Sequence, residues 1–158
     1  MLRTSFAVLY IILTALLIGS IVKAAGSRSK MAGPVIKVIF AGAMTALFYA
    51  LYLLAAGYGR QPACFLLGMY YLSIGWLTYW LTDYVMEYTE VRLVTRLPRV
   101  ILFVMVLLDS ISILVNNFTG HMFSMIQLYD GSNGQYYWTS QPHGWMSIHL
   151  ALCYVMVA

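Results

Sequence analysis

Residues 100–118 read VILFVMVLLDSISILVNNF, an apolar run in which Asp109 is the one ionisable group and falls near the middle. As a helix the run would extend about 28 Å, close to the ~30 Å of a bilayer's hydrocarbon core. A charge at the centre of such a helix costs a few kcal/mol in lipid, so Asp109 must be neutral, paired or hydrated. The stretch therefore reads as a membrane-spanning helix that keeps a polar residue inside a bundle.

Working outward, residues 5–22, 35–57 and 63–84 form three more runs near span length, and residues 144–158 form a shorter one. None alternates with the period of two of a barrel strand, so all read as helices. Composition agrees: 62% of the residues are hydrophobic and 9% are charged, against about 25% charged in soluble domains. The expected architecture is an all-α, polytopic transmembrane bundle forming one domain over residues 1–158, with the lipid bilayer as its first partner. A helix over 144–158 would reach about 22 Å, less than the core thickness, so the chain reads as a fragment that stops inside its fifth span.

The formal net charge of +4 is a topology signal and gives no support to a nucleic-acid partner. Lys23, Arg28 and Lys30 follow the first span, with Lys37 just inside the second, and Arg92, Arg96 and Arg99 follow the third. The link before the third span holds only Arg60, and residues 119–143 carry no Lys or Arg. Basic residues in every second link place the N-terminus and the 119–143 loop outside by the positive-inside rule. A competing reading makes the first run a secretory signal, with Lys23-Ala24-Ala25-Gly26 near its cleavage point. The length of the run and the basic cluster after it favour a retained span.

Within the 119–143 loop, residues 130–134 carry a turn signal between aromatic and polar residues, which fits a β-hairpin or an irregular lid over the bundle. In the third span Ser73, Trp76, Trp80, Asp83 and Glu87 share one helical stripe. That stripe should face the bundle, with its carboxylates solvated or paired with Lys37 or Arg92. In the fourth span Ser112 and Asn116 follow Asp109 at i+3 and i+7, so a polar track climbs toward His121. Asp109 with Asn116 and His121 forms a candidate ligand or proton site; a protonated Asp109 bonded to Tyr49 or Tyr52 is the structural alternative.

His121, His143 and His149 match no zinc spacing and no haem pair at matched depth, so neither a metal nor another cofactor is expected. Titration of an exposed histidine near pH 6.5 would suit pH sensing better. Cys64 and Cys153 read as small packing residues at depths too different for a disulfide. The triplet Asn117-Phe118-Thr119 matches a glycosylation acceptor, but it hugs the membrane and reads as chance.

The run Ser73-Ile74-Gly75-Trp76-Leu77-Thr78-Tyr79-Trp80, continuing to Met86-Glu87-Tyr88-Thr89, resembles the third-helix end of the seven-helix sensory region at the N-terminus of bacterial histidine kinases and diguanylate cyclases. Asn116-Asn117-Phe118-Thr119-Gly120-His121 resembles the asparagine and histidine signature that closes a helix of that region, and Gly144-Trp145-Met146-Ser147-Ile148-His149 resembles the opening of its next helix. The likeness covers roughly residues 35–158. It implies a seven-helix bundle, of which five spans are present, in the bacterial cytoplasmic membrane. The N-terminus would lie outside, and the missing C-terminal helices would lead to a cytoplasmic effector.

The expectation is a sensory input module of a signal-transduction protein. An unknown small-molecule or physical cue would be received at Asn116, His121, His143 and Trp145, with Asp109 and Ser112 as intramembrane polar residues. Asp83, Glu87, Arg92, Arg96 and Arg99 would relay the signal, and homodimerisation is left open. The fragment itself carries no catalytic residues. The rival reading is a transporter or channel subunit with Asp109 as coupling residue. It is weakened because Pro34, Pro62, Pro98 and Pro142 all fall at span ends.

Overall fold

Helix α1 (Leu2–Ala25) is apolar on every side, with Leu16 and Val22 66% and 70% exposed and a narrow buried stripe at Ala7 and Thr14. Such a helix is stable where its outer surface meets lipid and not water. It packs against α2 (Ala32–Ala55), which buries Ala41, Ala43, Ala46 and Ala50. Small side chains let neighbouring backbones approach closely, the means by which helices associate when lipid is as apolar as they are. The computed structural model describes residues 2–89, 97–131 and 134–157.

Helix α3 (Arg60–Tyr88) is the hub and packs against α2, α4 (Leu97–Thr119) and α5 (Gly144–Val157). It runs past residue 84 because Asp83 and Glu87 sit on a helix that continues beyond its apolar window. Four helices, α1 to α4, are long and apolar enough to cross a membrane, whereas α5 is shorter at 14 residues. This is the composition of a membrane protein.

The chain is mostly helical, but the all-α expectation must be widened, because residues between α4 and α5 form an antiparallel hairpin. Strands β1 (Phe123–Asp130) and β2 (Gln135–Pro142) pair from Phe123↔Pro142 to Asp130↔Gln135. A backbone N–H left unpaired at this depth would be costly, and strand pairing satisfies it. The base of the hairpin is buried at Phe123 and Met125, while Leu128, Tyr129 and Tyr136 nearer the tip are exposed. Phe123 and Met125 complete a core with Tyr52, Leu67, Ile113 and Met146, drawn from every helix except α1.

One glycine makes this arrangement possible. Gly120 has φ of 66° and its N–H donates to the Asn116 carbonyl, closing α4 with a left-handed residue. The chain then doubles back along α4: His121 reaches Ser112, seven residues and about 10 Å below Thr119. The hairpin base and the start of α5 are thereby set below the end of α4. No heavy atom lies within 4 Å of a Cβ built at Gly120, so Gly120→Ala should cost only the left-handed conformation, about 1–2 kcal/mol. Unfolding in mixed micelles measures this, with Gly33→Ala in α2, where φ is unrestricted, as the variant expected to lose nothing.

The deep start also sets where α5 finishes. Thr82, beside Asp83 near the far end of α3, donates its hydroxyl to the Met156 carbonyl. The short helix therefore ends level with the last turns of α3.

Candidate functional site

Helix α4 carries polar side chains at 109, 112 and 116, one face at i, i+3 and i+7. Each engages a different partner. Asp109 Oδ2 lies 2.7 Å from Nδ1 of His149, whose side chain is fully buried while that of Asp109 is 11% exposed. The Cys153 sulfur lies 3.8 Å from His149 Nε2, and Tyr71 meets the ring edge-on with centroids 5.9 Å apart. Gly75 opens room for the pair, since a Cβ there would stand 3.7 Å from Asp109 Oδ2 and 3.8 Å from His149 Cε1.

The Asp109–His149 contact answers the requirement that a mid-span carboxylate be paired. Neither Tyr49 nor Tyr52 supplies the partner: Tyr52 donates to the Trp138 carbonyl, and Tyr49 packs among the rings of Tyr10, Tyr52 and Tyr70. The face of Asp109 away from His149 borders a 270 Å³ cavity between α4 and α5, lined also by Met105, Ser112, Trp145 and Leu152. Across this seam the pair is the polar tie between two helices that otherwise pack mainly on α3.

Ser112 Oγ is 2.7 Å from His121 Nε2, and Thr119 Oγ1 makes a short hydrogen bond with His121 Nδ1. The ring of Trp145 stands edge-on to His121 at 6.2 Å. His121 thus bridges Ser112 and Thr119, about two turns apart on α4.

Asn116 is 2% exposed and both ends of its amide are hydrogen-bonded. Oδ1 accepts from the N–H groups of Met122 and Phe123 at 2.7 and 3.2 Å, and Nδ2 donates to the Phe123 carbonyl at 3.1 Å. All three bonds go to the hairpin base, so its part is to position β1. A second tie runs from the Trp138 N–H to the Ala56 carbonyl at the end of α2.

Of the residues expected to receive a cue, the fold brings His121 and Trp145 together with Ser112, and places Asn116 one turn further along α4. It does not bring the His143 side chain to them: that side chain is exposed, and its backbone N–H pairs with the Met122 carbonyl. His149 was the residue that sequence reasoning missed as Asp109's partner. The only signal for it was a histidine within an apolar run opposite a mid-span carboxylate.

At the opposite end Arg99 Nε lies 3.5 Å from Asp83 Oδ1, joining α4 to α3. Lys37 does not pair with a carboxylate there; its ammonium lies 4.5 Å from the centre of the Trp80 ring. Glu87 is exposed, and Arg92 and Arg96 lie outside the described residues. No group of three or more histidine, cysteine or carboxylate side chains suited to a metal occurs among the described residues. Compared with family models, curated proteins and solved structures, the chain gave no match.

Proposed function

We propose that this chain is the membrane-embedded input module of a bacterial signal-transduction protein, resident in the cytoplasmic membrane. In this reading the hairpin faces outward, α1 to α5 are five spans of a larger bundle, and a kinase or cyclase domain follows on the cytoplasmic side. One observation carries the reading. The same helix, α4, holds the hairpin through Asn116 and holds α5 through Asp109.

A cue that displaced the hairpin would pull on α4 one turn above Ser112, and α4 would transmit the displacement to the Asp109–His149 tie. The loosely packed seam beside that tie gives α4 and α5 room to shift. Asp83 and Arg99 lie where such a shift would emerge at the cytoplasmic end. The energy for it is limited to the difference in the cue's affinity for two bundle arrangements, typically 1–3 kcal/mol.

The cavity beside Asp109 also keeps the transporter reading in view, since an intramembrane carboxylate at a cavity wall is where a coupling ion would bind. One variant tests both. In the full-length gene product in proteoliposomes, Asp109→Asn should change phosphoryl transfer or cyclic-dinucleotide synthesis about fivefold or more, with no proton or solute flux in wild type or variant. Unchanged output with normal expression would end the sensory reading, and a flux abolished by the substitution would replace it with the transporter.

A further inference from the structure

A second cavity, of 530 Å³, opens at the hairpin end between the start of α3, the end of α4 and β1. His121, His143 and Trp145 do not line it; of the positions expected to bind a cue only Asn116 does, and its amide bonds the hairpin base at both ends. Its volume is that of a small-molecule site.

Its chemistry is lopsided. Arg60 lines it, no carboxylate does, and among the described residues Arg60 has no acidic partner. Among the described residues the other Lys or Arg at this end, Arg3, is used elsewhere, with its guanidinium over the Tyr137 ring and packed onto Gly57. Around Arg60 the wall offers the neutral hydrogen-bonding groups of Gln61, Asn117 and Ser124, and the apolar surfaces of Phe65 and Met125.

We infer that this cavity binds a small organic monocarboxylate. The Arg60 guanidinium would take the carboxylate through two parallel N–H donors, the amides and hydroxyl would bond what oxygen remains, and Phe65 and Met125 would cover the hydrocarbon part. One guanidinium with neutral donors matches a single negative charge better than a phosphate dianion or a dicarboxylate. A ligand here would touch α3, α4 and β1 together, so it would set the position of the hairpin base that Asn116 fixes. Its role as a cue rests on the sensory reading above; its binding does not.

The test uses the full-length protein in phosphatidylcholine nanodiscs and reads the thermal unfolding midpoint with acetate, butyrate, benzoate and succinate. Butyramide and benzamide serve as uncharged counterparts. At least one monocarboxylate should raise the midpoint while its amide does not; Arg60→Gln should abolish the rise, Arg60→Lys should weaken it, and Arg3→Gln should keep it. Cys64 lines the cavity whereas Cys153 is buried beside His149, so the bound acid should also slow alkylation of Cys64 by N-ethylmaleimide.

No shift with any acid, a shift that survives Arg60→Gln, or a response to succinate alone would overturn the assignment. So would the same stabilisation produced by replacing part of the phosphatidylcholine with phosphatidylglycerol, which would make the occupant a lipid headgroup. Binding without any change in cytoplasmic output would leave the site standing and remove the sensory role. Failure of every acid, alongside an output that still responds to Asp109→Asn, would do the reverse.

Discussion

His149→Leu is expected to lower the unfolding free energy of the bundle by about 3 kcal/mol, the cost of leaving a buried polar group without its hydrogen-bond partner. The substitution keeps an apolar side chain in the space but strands Asp109, whose carboxylate then faces only the cavity between α4 and α5. An ordinary hydrogen bond between membrane helices contributes about 0.6 kcal/mol, because unfolded helices in lipid also find partners. The two magnitudes separate the cases. Reversible unfolding in mixed micelles gives the number, and a loss under about 1 kcal/mol would mean that the pair is a minor contact. Asp109→Leu together with His149→Leu should recover most of the loss, since no polar group then remains to be satisfied. The doubly substituted protein should be stable and, on the sensory reading proposed above, insensitive to its cue.

Asn116→Leu is expected to detach the hairpin base while leaving the helices assembled. The change removes three hydrogen bonds at once and leaves the N–H groups of Met122 and Phe123 without acceptors in a buried setting. Each such group costs about 1–3 kcal/mol, more than the added apolar contact returns. Amide exchange at Met122 and Phe123 should accelerate about 100-fold, equivalent to about 2.8 kcal/mol of local opening, while α2 and α3 amides stay protected. Asn116→Asp keeps the acceptor and loses only the donor to the Phe123 carbonyl, so it should show a smaller acceleration. Exchange at wild-type rates in Asn116→Leu would mean that the ties of Trp138 to Ala56 and Tyr52 suffice to hold the hairpin.

The two residues also show what could be read in advance. The four long helices were legible because apolar length is a property of the local sequence, and the chain reversal between the strands because turn residue types are, although Ser132 and Asn133 lie outside the described residues. Helix ends were less so. The apolar run reads as ending at residue 84, whereas the backbone of α3 goes on to Tyr88 because a carboxylate at a helix surface does not break the helix.

The partner of Asp109 was hidden for a different reason. Counting residues from the helix ends puts Asp109 ten residues below Thr119 and His149 only five beyond Gly144. Those depths disagree unless α5 begins well below the end of α4. Gly120 and the His121–Ser112 bond arrange that offset, and it is a tertiary fact with no local signature beyond one glycine. The same offset brings Met156 of α5 level with Thr82 of α3. Asn116 could be picked out as important from the sequence, but its use as a splint for β1 could not.

The bond between the Trp138 N–H and the Ala56 carbonyl has a kinetic consequence. It joins the end of the second helix to a strand synthesised long afterward, so the last turn of α2 must wait for its acceptor to be filled while α3, α4 and β1 are made and placed. Closing so long a loop cannot be an early event, because its entropy must be met before any contact repays it. Assembly would thus run in two stages, with helices inserting as they emerge and the hairpin locking onto them last. Until that lock forms, the hairpin's future resting place is open to water, and a molecule lodged there during synthesis would be sealed in by the final step.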